Sequence, residues 1–136
     1  MTDLESTPRF VSKVYETMKQ NLRIVRKKLD RPLTLADKIL LSHLDDPENQ
    51  EMIAGKSYLQ VRPDRVVLQD VLGQSAMLQF MQTGRDKVAV PTTIHCDHLI
   101  EARVAGDADL KDSLDENNEV YEFLKTVAAK YGAGFW

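Results

Sequence analysis

Cysteine is nearly absent: the chain has one, Cys96. An internal disulfide is therefore excluded, and the fold must rest on packing or on contacts with a metal or a partner. Long apolar runs are missing too. None approaches the roughly 18–20 residues that a membrane-spanning helix needs. Nor does one sign of charge dominate, since 18 Lys and Arg stand against 21 Asp and Glu, a net charge of −3. That balance gives no argument for nucleic acid or a membrane surface, and neither is expected as a partner. Met1-Thr2-Asp3-Leu4-Glu5 is acidic. It has neither the apolar core of a signal peptide nor the Arg- and Ser-rich, acid-poor look of a mitochondrial presequence. No targeting segment is visible, so either the protein is not imported or Met1 is not the native start.

What is present is an ordinary globular composition, 43% hydrophobic and 29% charged, over 136 residues. This length suits one domain with a modest core. Charge is distributed unevenly. Residues 9–32 carry eight Lys or Arg against two acids, and residues 101–122 carry eight acids against two bases. Two solvated helix faces of opposite sign are the plain reading of that pattern.

Hydrophobic spacing places the elements. Val11, Val14, Tyr15, Met18, Leu22, Val25 and Leu29 recur at steps of three and four, which predicts one face of a helix. Arg31-Pro32 ends it, because the residue before proline avoids the α region. Thr34-x-x-Asp37 is a capping-box pattern and starts a second helix. Asp45 to Asn49 reads as a loop, Ser57–Val61 as a short strand, Arg62–Arg65 as a turn and Val66–Leu68 as a second strand. A helix is expected over about 71–83, closed by Gly84. Lys87–Pro91 reads as a buried strand stopped by proline, and Ile94–Glu101 as an irregular continuation. One long helix is expected from about Asp107 to Tyr131, with Gly132 as its C′ residue. Residues 1–10 are expected to be disordered. Helices and strands alternate, so the class is α/β.

Reactive side chains are densest in Thr93-Ile94-His95-Cys96-Asp97-His98. An Asp beside a His can hold the imidazolium and set its tautomer, which makes a proton donor near neutral pH. Neighbours on a regular strand point to opposite faces, so Asp97 and His98 can pair only where the backbone turns, for example just past a strand end. Strand ends are where α/β proteins bind ligands. A surface or satisfied core histidine is the plainer alternative. Four adjacent residues wrap a tetrahedral ion poorly, so no metal site is assigned, although a small zinc- or polycarboxylate-binding domain is one reading of the cluster. Cys96 reads as a small buried hydrophobe. Without a Cys-x-x-Cys pair, no iron–sulfur cluster can be built from this chain alone. Gly55-Lys56-Ser57 lacks the upstream glycine and strand of a phosphate loop. Gln69 and Asp70 follow the apolar run Val66–Leu68 and stand where a cleft can open.

Several stretches together resemble the aconitases of the mitochondrial type. They are Arg31–Leu35, Ser42–Pro47, Gly55–Leu59, Arg62–Val66, Ala76–Phe80, Val88–Pro91, Ile94–Glu101 and Ala129–Trp136. Their order and spacing match the family from about residue 14 to Trp136. Val71-Leu72-Gly73 departs from the family's run of small Ala and Thr residues. The resemblance implies part of the first domain of a four-domain protein, a three-layer α/β/α domain with a short, mainly parallel sheet flanked by helices. It implies that the parent interconverts citrate and isocitrate through cis-aconitate. Gln69 would contact a substrate carboxylate. Asp97 and His98 would be the pair that protonates the departing hydroxyl, an oxygen that the iron of a 4Fe-4S cluster binds as Lewis acid. The cluster cysteines, carboxylate-gripping arginines and base serine of the family have no counterpart here. The chain is thus expected to be a fragment, inactive alone and partnered by the missing C-terminal domains. The alternative is a short non-catalytic module that docks to a partner. The compartment implied is the mitochondrial matrix for a eukaryotic source and the cytoplasm for a bacterial one.

Overall fold

A computed structural model describes residues 6–136. They form two compact units, residues 6–64 and residues 65–136. The expectation of disorder over residues 1–10 lies partly outside the described residues. Within them the first helix, α1, already begins at Pro8 and runs Pro8–Leu29. Thr7 caps it by accepting a hydrogen bond from the Phe10 N–H at 3.2 Å, and Pro8 suits the first turn because the missing N–H needs no partner there. Asp30 closes the helix in the left-handed region, φ 44°.

In the unit 6–64, α2 spans Leu35–Ser42. The capping box forms as the sequence predicts: Asp37 N–H donates to Thr34 Oγ1 at 3.1 Å, and Thr34 N–H donates to Asp37 Oδ2 at 2.9 Å. Arg31 adds a two-pronged contact to Asp37 at 2.9 and 3.1 Å. This guanidinium, with the Thr34 donors, holds the Asp37 carboxyl well below the usual carboxylate range. Val25, Leu41 and Leu44 are buried, with Leu29, Leu33, Met52 and Leu59 packed around them. The apolar face predicted for α1 is only partly used, since Tyr15 is 65% exposed. Asn21 is buried instead, and its Nδ2 donates to the carbonyls of Ser42 and Leu44, both at 2.9 Å. Ser57–Val61 is not a strand. It has one antiparallel bridge, Val61 to Leu44, and the side chain of Gln50 takes both the N–H and the carbonyl of Gln60. A side chain there does the work of a neighbouring strand.

In the unit 65–136, β1 (Val66–Gln69), α3 (Asp70–Gln82), β2 (Thr92–His95), α4 (Gly106–Glu116), α5 (Asn118–Tyr131) and β3 (Gly134–Phe135) follow in order. The sheet is parallel throughout, ordered β1-β2-β3. The α/β class is as expected. Both α3 and α5 pack on the sheet and on each other. Of the three layers expected, the described residues here form the sheet and one helical layer. The core joins Met77, Val88, Ile94, Leu124, Val127, Ala128, Tyr131 and Ala133. Phe80 meets Tyr131 edge-on at 5.2 Å.

Three expectations are corrected in this unit. Lys87–Pro91 is not a strand: Val88 is buried, but its N–H donates to the Tyr131 carbonyl at the end of α5. The strand begins after Pro91, whose carbonyl accepts from Val66 N–H at 3.0 Å. The irregular strand Ile94–Glu101 is regular only to His95. The long helix breaks at Asn117, which leaves the helical region at φ −111°, ψ 24°. Its side chain donates back to the Ser113 carbonyl at 3.2 Å, the local competition with backbone that makes Asn a helix interrupter. Gly132 ends α5 at φ 78°, as expected of a C′ glycine. The short strand β3 was not anticipated.

Candidate functional site

Parallel pairing sets β1 and β2 side by side with Gln69 opposite His95, each the last residue of its strand. Both chains then leave the sheet at the same edge, where α/β folds place ligands. From β1 the chain turns directly into α3. Gln69 caps that helix, its side-chain oxygen accepting from the N–H groups of Val71 and Leu72. The oxygen being engaged, its NH2 is the end that can donate to an acid group.

From β2 the chain passes through Cys96 to Asp97 and His98, beyond the last strand residue. The turn lets these neighbours meet: His98 Nδ1 lies 2.9 Å from Asp97 Oδ1. The imidazole is 59% exposed, so the ring is open to a ligand from solvent. A carboxylate only accepts, and this contact therefore calls for a proton on Nδ1.

A third group completes the arrangement. Asp70, the first residue of α3, is fully buried. Its Oδ2 accepts from the His98 backbone N–H at 2.9 Å, and its Oδ1 accepts from Val71 N–H at 2.9 Å and lies 3.3 Å from His98 Nδ1. Sequence reasoning puts Asp70 at a strand end but gives it no partner, because the partner is 28 residues away. The one available signal was an acid in the first turn of a helix.

His95 does not join this group. Its ring stacks on Trp136, with centroids 5.5 Å apart, and its Nε2 is 3.0 Å from Thr93 Oγ1. Cys96 is half-buried, and burial, with the charges of Asp70 and Asp97 adding to it, pushes its thiol up to about 11. Asp70, Asp97 and His98 present ligand atoms within 4.8 Å of one another, the one such trio among the described residues. The atoms concerned already serve one another as donors and acceptors, which suits a held proton better than an ion. An iron–sulfur cluster needs several thiolates. A single cysteine whose thiol is held in its protonated form does not fit that group.

Fold and site define an α/β domain that presents a carboxylate-supported imidazole at the carboxyl ends of parallel strands. Residues 37–136 match the model of the aconitase family (aconitate hydratase). The chain is 59% identical over 122 residues to the mitochondrial aconitate hydratase of Aspergillus fumigatus and 55% identical to that of Saccharomyces cerevisiae. It is also 55% identical to a probable mitochondrial aconitate hydratase of Caenorhabditis elegans. In each case 90% of this chain is covered and 16% of the relative. The chain belongs to the aconitase family, and it spans about a sixth of the length of the curated relatives it matches.

Proposed function

We propose that this chain is part of an aconitate hydratase, a lyase of the tricarboxylic acid cycle that interconverts citrate and isocitrate through cis-aconitate. In this reading His98 handles the proton of the migrating hydroxyl. Asp97 accepts from Nδ1, so the proton moves at Nε2. Given from Nε2 to the hydroxyl of citrate or isocitrate, it lets that group depart as water while the neighbouring carbon gives up its proton to a base, which further domains would supply, and the double bond forms. In the reverse direction Nε2 takes a proton from the water that adds across the double bond. Gln69 donates from its amide to a substrate carboxylate. The 4Fe-4S cluster of such an enzyme, the groups that hold it and the other substrate contacts belong to further domains, which would be the principal partners of this segment. The relatives' names support a mitochondrial setting.

The observation that carries the reading is the 2.9 Å contact of Asp97 with an exposed His98 at the strand ends. Its test is His98→Ala in the full-length protein, with citrate turnover measured by steady-state kinetics. General acid–base groups contribute about 10²–10⁴-fold to rate, and a loss of that size is expected. Turnover close to wild type would remove the assignment. Gln69→Ala should chiefly raise KM, since its role is to grip and not to transfer a proton.

A further inference from the structure

We propose that Asp70 is a positioning residue for His98, a role that rests on the function proposed for His98 above. Three donors converge on this one carboxylate: the Val71 N–H, the His98 backbone N–H and, at 3.3 Å, the His98 ring at Nδ1. The side chain is fully buried, whereas Asp97 is 72% exposed. Burying a carboxylate is costly unless donors meet it, so a fully enclosed one is fixed in place by the groups that satisfy it. Asp97 can swing with solvent. Asp70 cannot, because it stands at the start of α3 with both oxygens engaged. It thus ties the backbone at His98 to the helix that begins where β1 ends. It also gives Nδ1 a second acceptor, which keeps the proton on that nitrogen whenever Asp97 turns away. Nε2 then stays the atom that faces substrate.

A plainer role, that Asp70 merely starts α3, makes a different forecast. Asp70→Asn keeps the shape but turns an NH2 toward N–H donors on one side. Asp70→Ser keeps a short oxygen that serves a helix start and gives up the reach to His98. If Asp70 positions the imidazole, both variants of the full-length protein should lose kcat by roughly ten- to a hundred-fold, the size of loss seen when the carboxylate behind a metal-bound imidazole is removed, with KM little changed. Nitrogen-15 spectra of labelled histidine should show His98 passing from one tautomer to a mixture. Wild-type kcat in Asp70→Ser would overturn the proposal, as would an unchanged tautomer in both variants. Should neither variant fold, Asp97→Ala, at an exposed position and without a side-chain acceptor, supplies the reading. A His98 that keeps its proton on Nδ1 there supports Asp70 as the second acceptor, and an even mixture refutes it. The spectra do not depend on turnover. Full activity in His98→Ala would sink the proposed function while leaving the Asp70–His98 coupling measurable. A dead His98→Ala beside a fully active, tautomerically unchanged Asp70→Asn would sink the positioning role alone.

Discussion

The unit 6–64 closes on a cluster of three buried apolar side chains and holds its loop with polar side chains, whereas the unit 65–136 closes on a cluster of eight built around a parallel ladder. In the first, Asn21 serves two carbonyls, and Lys28 Nζ donates to the carbonyls of Pro47, Glu48 and Gln50 at 3.2, 2.7 and 2.8 Å. Gln50 in turn serves Gln60. The loop after α2 has a single antiparallel bridge, and the carbonyls beyond it need side-chain partners. In the second unit the ladder and helices satisfy most of the backbone, and side chains finish the loop past β2: Asp109 accepts from the Arg103 and Val104 N–H groups, and Ser113 Oγ donates to the Leu99 carbonyl. The buried acid Asp70 takes the backbone N–H of His98 and lies beside its ring as well. Polar side chains thus finish loop backbone in both units, and in the second one of them, Asp70, also meets a histidine at the strand ends.

The contrast can be broken from either side. Leu124, fully buried, is the deepest side chain shared by α5 and the sheet core. Leu124→Ala should cost about 3 kcal/mol. Hydrogen exchange should show that loss in amides of residues 65–136, while those of residues 6–64 keep their protection. Equal loss in both units would mean that they unfold as one. Asn21→Ala leaves two buried carbonyls without their donor and should cost about 2 kcal/mol. Its exchange signature should fall on residues 6–64, and an effect below a few tenths would show that water replaces the amide. Thr34→Ala removes one half of the capping box and should cost about 1 kcal/mol, read as a lower denaturant midpoint for α2.

The smallest effect expected is a pH dependence confined to residues 6–64. His43 Nδ1 lies 2.6 Å from the Ile39 carbonyl and Nε2 lies 2.7 Å from Asp64 Oδ2. Both partners accept, so only the imidazolium satisfies both. The Ile39 carbonyl does most to raise the His43 pKa above its ordinary value, burial opposes it, and Asp64 adds to the rise. A raised folded value means that the stabilisation is fully present below the unfolded pKa, ordinarily 6.5, and is lost as pH rises through the folded one. Exchange of the amides around residues 39–64 should therefore quicken beyond its intrinsic pH trend as pH rises above the ordinary 6.5 and through the raised folded value. His43→Gln should flatten that excess, and an identical profile in the variant would exclude His43 as its source.

Much of the helical structure was legible because caps and spacing act over a few residues. Thr34-x-x-Asp37 and Gly132 do in the structure what their local chemistry dictates. The strands were harder to read. Val88-Ala89-Val90 is more apolar than Thr92–His95, yet only the latter joins the sheet, because the Val88 N–H is taken by the end of α5. Asn117 looked like one polar residue in a long helix, and only its φ and its bond to Ser113 reveal a break. Asn21 and Lys28 could not be paired in advance, since their carbonyl partners lie some twenty residues on.

Family membership, the α/β class and the adjacency of Asp97 to His98 were settled by the sequence itself. Each depends on motifs or composition that do not require the chain to meet itself. The tertiary structure alone decided that the two neighbours fall past the end of β2, where the backbone turns enough for them to touch. It alone brought in Asp70. Parallel pairing of Gln69 with His95 aligns two strand ends, so whatever follows each strand must share the same edge. That shared edge carries a buried acid from one segment to the histidine of another, and no local pattern encodes such a meeting.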